Sequence, residues 1–204
     1  IIGSDPYPIK NNHSIKSMQT HLQKTAEAGL PFWIVPQMFN FRRYFPATAQ
    51  AETFRFPSAN EFRSMILLAA GYEPRGYVFY TYTPLCKPDP KLDGNTEENL
   101  KTIRHGIGML RKLEPFLLSG KQAKKLPVKT IKGDIRAWEF SDGNGSRRVA
   151  VVALGPGTAE AEITVGAPEQ LQSVYGKTVL KNGKWLFRAE NIDSDLLSYD
   201  KEMK

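Results

Sequence analysis

Six side chains stand out for where the chain would deliver them: Asp5, Tyr7, Gln37, Arg43, Tyr80 and Tyr82. Asp5 ends the short run Ile1-Ile2-Gly3-Ser4 and is followed by Pro6-Tyr7-Pro8. A carboxylate and a phenol therefore leave a strand together at its C-terminal end. Asp5 in that place can accept a ligand hydroxyl or move a proton; the plainer reading is a turn aspartate before Pro6. Tyr7 could hydrogen-bond or stack on a ligand, or pack the rim. Gln37 closes a second apolar run, where its amide either contacts a ligand or is buried as structure. Tyr80 and Tyr82 alternate with Phe79 and Thr81, so one face of that run points inward, with Tyr82 nearest its end. Arg42 and Arg43 could grip an anion through paired N–H groups, or simply form ion pairs. Glu52 joins Asp5 as a weak candidate for catalytic carboxylate, whereas Glu61 is better explained as a helix cap.

The elements that must hold these groups alternate between strand and helix. After the first strand, Ile15, Met18, Leu22 and Ala26 recur at spacings of three and four and predict a helix over 14–28, with Gly29 beyond its end. Pro31 to Phe39 reads as a second strand, apolar enough to be buried on both faces. A loop of about twenty residues rich in Arg, Phe and Tyr follows, and loops of that length are often functional. Ser58 and Glu61 then form a capping box for a helix whose stripe is Phe62, Met65, Ile66 and Ala69, ending at Gly71. A third strand is expected over 76–82, and a last helix begins at Thr96 with Glu97 and Glu98 near its positive end. Strand–helix repeats imply parallel strands with right-handed crossovers, and units of this length suit a (β/α)8 barrel. Three strands cannot close one, so the remaining strands are expected from an upstream segment or another chain. Ile1-Ile2-Gly3 likewise reads as a strand already inside a fold, with material missing before it.

Past Leu118 the period changes to two. Residues 135–140 and 147–154 flank the turn Asp142-Gly143-Asn144-Gly145; residues 160–165 make another strand. Residues 179–187 form a hairpin around Asn182-Gly183, and 196–199 close the set. The expected organisation is thus α/β plus all-β: residues 1–118 as the last three βα units of a (β/α)8 barrel, and 119–204 as a small antiparallel β-sandwich.

Composition excludes several classes. Of 204 residues, 41% are hydrophobic, enough for a core rather than a disordered chain. The net charge of +7 is shared almost evenly on either side of Leu118 and contains no long run of one sign, which argues against a nucleic-acid partner. No apolar stretch is long enough to span a membrane. Cys86 is the only cysteine, and His13, His21 and His105 share no metal-like spacing with it or one another, so neither disulfide nor metal nor other cofactor is expected. His21 is read as packing, and Trp138 and Trp185 as core. No signal segment begins the chain; the compartment stays open, export included.

Three segments carry a resemblance. Ile2-Gly3-Ser4-Asp5-Pro6-Tyr7-Pro8 resembles the sixth barrel strand of β-galactosidase-like glycoside hydrolases, where an Asp and a Tyr-Pro sit at the sugar site. Pro31-Phe32-Trp33-Ile34-Val35-Pro36-Gln37-Met38 is similar to the seventh strand. Phe56-Pro57-Ser58-Ala59-Asn60-Glu61-Phe62-Arg63, with Gly71 and Gly76-Tyr77-Val78-Phe79-Tyr80, is similar to the seventh helix and eighth strand. The resemblance implies a carbohydrate site at Asp5, Tyr7, Gln37, Arg43, Tyr80 and Tyr82, and leans toward glycosidase activity. Retaining glycosidases need two carboxylates roughly 5 Å apart. In the resembling families the nucleophile is a Glu ending the seventh strand, where this chain has Gln37, and the acid/base lies on the fourth strand. The alternative is therefore a non-catalytic carbohydrate-binding or structural protein that has kept the barrel.

Overall fold

The computed structural model describes residues 2–10, 14–81 and 83–199; His13 and Tyr82 lie outside them. Strands β1 (Ile2–Ser4), β2 (Phe32–Ile34) and β3 (Gly76–Tyr77) form a parallel sheet in that order. Helix α1 (Lys16–Glu27) joins β1 to β2, and α2 (Ala59–Ala70) joins β2 to β3. Gly29 at φ 68° ends α1 in the left-handed conformation expected there. β3 is shorter than the periodicity suggests: pairing lapses after Tyr77 and returns as a single parallel bridge between Gln37 and Tyr80.

The sheet has one covered and one open face. Phe32 and Ile34 are buried among Met18, Leu22 and the apolar side of α2, in the main core. Gly3, Trp33 and Gly76 share the opposite face by register, and there Trp33 is 42% exposed. β2 is thus not buried on both faces, because nothing among the described residues covers the side that a barrel would enclose. The outer edges of β1 and β3 also carry no strand among the described residues.

Helix α2 begins as its sequence dictates. Ser58 Oγ accepts from Glu61 N at 3.3 Å, and Glu61 Oε2 accepts from Ser58 N at 2.8 Å. Arg55 grips the same carboxylate through both terminal nitrogens. Burial raises the Glu61 pKa, but hydrogen bonds from Arg55 and Ser58 outweigh it and hold the group below the usual carboxylate value. A depressed folded pKa stabilises the fold above the unfolded value and loses that contribution as pH falls through the folded one. Acid titration should therefore destabilise the protein less steeply in Glu61→Gln than in the parent below about pH 4.5, read by thermal melts across pH.

Gly71 caps α2 for a different reason than expected. Its φ is −64°, so no left-handed turn is involved, but an added Cβ would lie 2.4 Å from the Trp138 ring. Gly71→Ala should cost about 1–3 kcal/mol by overpacking, measurable by urea unfolding. Two short helices, α3 (Thr83–Cys86) and α4 (Pro90–Asp93), lead to α5 (Thr96–Leu117). The cap of α5 is Asn95, one residue before the expected Thr96; its side chain accepts from Glu97 N and Glu98 N.

From residue 124 the chain is a seven-stranded, mainly antiparallel sheet: β4 (Lys124–Lys125), β5 (Val128–Lys132), β6 (Ile135–Ser141), β7 (Arg147–Ile163), β8 (Leu171–Ser173), β9 (Thr178–Lys181) and β10 (Lys184–Tyr199). The separate short strands expected at 147–154 and 160–165 are one strand of 17 residues; the expected hairpin at 179–187 forms, and its second arm runs on through 196–199 as the 16-residue β10. The first half of β7 pairs with β6, the second half with β5, and both halves pair with β10. Val149, Val151 and Ala153 from the first half meet Ala159, Ala161 and Ile163 from the second in one core. The alternate residues Ala150, Val152 and Leu154, with Trp138 and Phe140, join the core of α2 and α5 instead. That core runs without interruption from the parallel sheet into the antiparallel one.

Candidate functional site

The C-terminal ends of β1, β2 and β3 converge on one rim. Asp5 leaves β1 exposed, and the following segment is anchored because Pro6, Pro8 and Ile9 are buried. Gln37 does the anchoring. Its Nε2 donates to the carbonyls of Ile9 (2.6 Å) and Phe39 (3.0 Å), and its Oε1 accepts from Ile9 N (2.9 Å). The side chain is 0% exposed. Both donors are spent on backbone, so Gln37 clips the segment bearing Tyr7 to the end of β2 and offers no N–H to a ligand. The expectation of a sugar-contacting amide gives way to a structural one.

That clip makes a sharp prediction about the nucleophile position. Gln37→Glu would put a carboxylate against two carbonyls it cannot donate to, in a site with no exposure. It should destabilise the protein by about 1–3 kcal/mol or more and create no hydrolysis, tested by melting temperature and an aryl-glycoside assay.

Around the clip the rings form a row. Tyr80 lies near-parallel to Tyr7 (centroids 6.0 Å, 24°) and to Tyr44 (6.5 Å, 23°). Buried Phe39 meets all three nearly edge-on, at 5.0 Å from Tyr7, 5.7 Å from Tyr80 and 5.0 Å from Tyr44. These are separations at which edge-to-face and offset pairs attract. Tyr44 Oη donates to Tyr80 Oη at 3.3 Å. Burial, then the Asp5 carboxylate and Tyr80, push the Tyr7 phenol up to about 12; burial, then the bond to Tyr80, push Tyr44 up to about 12. Both are neutral hydroxyls at any physiological pH. Tyr44 and Tyr80 remain 43% and 41% exposed, an unusual state for rings so well flanked.

The charged candidates of the long loop are committed elsewhere. Arg42 pairs with Glu52, whose side chain is 77% exposed and turned to solvent. Arg43 pairs with the buried Asp93 and also reaches the carbonyl of Lys87. Asp93 in turn accepts from Asp89 N, so Arg43 ties the loop to α4. Lys10 Nζ sits 4.8 Å over the Phe41 ring. Asp5 makes no ion pair among the described residues.

The structure thus brings Tyr7 and Tyr80 together at the rim with Asp5 beside Tyr7, gives Gln37, Arg43 and Glu52 to structural partners, and leaves Tyr82 undescribed. It adds Phe39 and Tyr44, for which the only sequence signal was the density of aromatics after β2, and Lys10, which carried no such signal. His21 is exposed rather than packed, His105 Nε2 lies 3.3 Å from Arg63 Nη1, and Cys86 is exposed. Trp138 and Trp185 are core residues, 3% and 4% exposed. No cluster of metal-ligating side chains occurs among the described residues, and no helix is long and apolar enough to cross a membrane.

No protein-family model matches the chain, and no curated protein matches it. Solved structures do. A family 39 glycoside hydrolase from Bacteroides cellulosilyticus aligns with 97% of this chain and 44% of its own at 11% identity, TM-score 0.50. A Nostoc punctiforme debranching enzyme soaked with acarbose aligns over 90% of this chain and 38% of its own at 12% identity, TM-score 0.46. AmyP, in complex with maltotriose, aligns over 83% and 41% at 11% identity, TM-score 0.48. The chain spans less than half the length of each. At such identities the likeness concerns the fold alone: it is glycoside-hydrolase-like.

Proposed function

We propose that this chain is the C-terminal part of a carbohydrate-acting (β/α)8 protein, binding sugar at the rim formed by Asp5, Tyr7, Tyr44 and Tyr80. The division retained is 1–118 for the barrel strands and 119–204 for the antiparallel part expected as a β-sandwich, whose strands form one seven-stranded sheet. The observation that carries the reading is the convergence of Asp5 and the tyrosine row on the C-terminal ends of parallel strands, where barrel enzymes place their sites. The open face at Trp33 and the two bare sheet edges support further strands, from an upstream segment or another chain, completing the barrel. The acid/base belongs to those strands. Asp5 then serves as a hydrogen-bond acceptor for a sugar hydroxyl.

A specific observation favours a second reading, a non-catalytic sugar-binding protein. The position that would hold the nucleophile is Gln37, and its amide is built into the backbone. The two readings separate on turnover by the completed protein, since both predict sugar binding. The 204-residue chain alone should bind a neutral oligosaccharide yet turn over no member of an aryl-glycoside panel. Hydrolysis by the isolated chain that is lost in Asp5→Ala would overturn the assignment of the acid/base elsewhere.

A further inference from the structure

The inward face of β7 ends on a charge. Residues 148, 150, 152 and 154 share one side of the sheet by alternation, and Ala150, Val152 and Leu154 belong to the core of α2 and α5. Arg148 stands first in that row and is only 4% exposed. Ser198 lies directly opposite it on β10 and is also buried, so both side chains leave the sheet toward α5. There the Arg148 guanidinium lies over the ring of Phe116, 4.8 Å from its centroid. A cation persists on such a face only where polar or charged groups gather around it.

A pocket of about 200 Å³ opens at that point, between α5, the β6–β7 turn and the end of β10. Arg111 and Lys112 of α5 line it together with Arg148 and Ser198. Neither Arg111 nor Lys112 makes an ion pair among the described residues. Both stand more than a turn before the end of α5 at Leu117, where the helix dipole no longer accounts for them. The carboxylate of the lining, Asp142, already accepts from the N–H groups of Asn144 (2.7 Å) and Ser146 (3.1 Å) in its own turn. Three cations against one carboxylate leave an excess of two positive charges.

The donors and the volume narrow the ligand. Guanidinium forks, an ammonium and a hydroxyl suit the oxygens of a tetrahedral anion. The volume falls below the range of about 300–1,000 Å³ that drug-sized ligands occupy, which leaves room for a phosphate group and none for a nucleotide. We propose that this pocket binds one phosphate group, free or at the end of a small monoester, between Arg111, Lys112, Arg148 and Ser198. A phosphate carries a charge of about −1.5 to −2 at pH 7, which matches the excess. Bound there, it ties α5 to the ends of β7 and β10. The pocket is walled by elements of this chain alone, so the proposal is independent of the rim and of the strands that complete the barrel.

The test is an amide-shift titration of the isotope-labelled 204-residue chain with inorganic phosphate, glycerol 1-phosphate and ATP, sodium chloride holding the ionic strength at about 0.15 M. Saturable shifts are expected over 111–116, 142–148 and 196–198, with Kd on the order of 1 mM or tighter. Saturation by inorganic phosphate alone assigns the pocket to the free ion, and saturation by both small probes to a phosphate terminus in general. Arg111→Gln and Lys112→Gln, at exposed positions that the fold tolerates, should each weaken binding several-fold and together abolish it. Lys125→Gln, exposed on β4 and outside the lining, should leave it unchanged. Equal weakening by all three would reduce the effect to overall charge and overturn the site. Shifts that never saturate, or that scatter over surface lysines, overturn it too. ATP binding more tightly than phosphate would contradict the size argument. Saturation that appears only in Asp200→Asn/Glu202→Gln would give the pocket to the chain's own carboxylates, which follow Ser198 in sequence, and overturn a separate ligand.

Discussion

Replacing Arg63 by Ala should destabilise the protein by about 3–5 kcal/mol, lowering the melting temperature by on the order of 10 °C. Arg63 projects from α2 with 4% exposure. Its Nη2 donates to Asp193 Oδ1 at 2.5 Å and to Ser194 O at 3.1 Å, and its Nε donates to Ser194 Oγ at 3.1 Å. The guanidinium also stacks over Tyr175, 4.0 Å from the ring centroid. Asp193 is equally buried, so removal of Arg63 leaves a carboxylate that Lys177 (2.8 Å), Asn60 (3.3 Å) and the Ser194 N–H (2.8 Å) still serve. Lys177 is itself part-exposed, which places the cost toward the lower end of the range. Because this pair joins α2 to β10 across the shared core, denaturation of the parent followed by tryptophan fluorescence and by circular dichroism should give one coincident transition. Arg63→Ala combined with Asp193→Ala should cost less than the sum of the singles, the excess measuring the pair. Additive singles would mean that the ion pair is not what holds the junction.

The second large effect distinguishes two glycines two residues apart, which therefore lie on opposite sides of one helix, Gly106 buried and Gly108 exposed. On α5, a Cβ at Gly106 would lie 2.3 Å from Phe62 Cδ1, 2.5 Å from Cε1 and 3.0 Å from Ile66 Cδ1. A Cβ at Gly108 meets nothing within 4 Å. Helix propensity favours Ala over Gly at both by about 1 kcal/mol. Gly108→Ala should realise that gain. Gly106→Ala should instead lose about 1–3 kcal/mol, because Phe62, which the new methyl would strike, is fully buried. Urea midpoints of the two variants should fall on opposite sides of the parent. A Gly106→Ala midpoint at or above the parent's would mean that α2 and α5 do not approach as closely as described.

Features set by neighbouring residues were readable from the chain. The Ser58–Glu61 capping box forms in full, and Asn182-Gly183 turns the β9–β10 hairpin with φ values of 51° and 73°. Features set by distant residues were not. Gly71 reads as an ordinary helix terminator until Trp138, from another sheet, is found against it. The run Gly155-Pro156-Gly157 carries every local signal of a turn, yet β7 continues through it because β10 pairs with both of its halves. The same limit applied at the rim. Asp5, Tyr7 and Tyr80 were legible because they end strands, whereas Tyr44 sits in an aperiodic loop and is brought to Tyr80 only by the ion pairs and short helices that fold the loop back. Gln37 lay at the right strand end, but its role was decided by the backbone of Ile9, 28 residues earlier.

The net charge of +7 also finds a structural use away from the rim. Edge strand β5 carries Lys129 and Lys132 beside the exposed Ile131, and edge strand β9 carries Lys181 beside the exposed Val179. Lysines on strands of this kind discourage edge-to-edge association with another sheet. Part of the positive charge thus protects the edges of the antiparallel sheet.

The claim on which the account rests is the location of a sugar site at the C-terminal ends of β1, β2 and β3. Backbone amide spectra of the isotope-labelled chain, titrated with maltotriose, test it most directly. The account predicts shifts confined to Asp5, Tyr7, the segment 39–45 and Tyr80, with the amides of β4 to β10 unmoved. Shifts centred on the antiparallel sheet, or a spectrum unchanged at millimolar sugar, would contradict it.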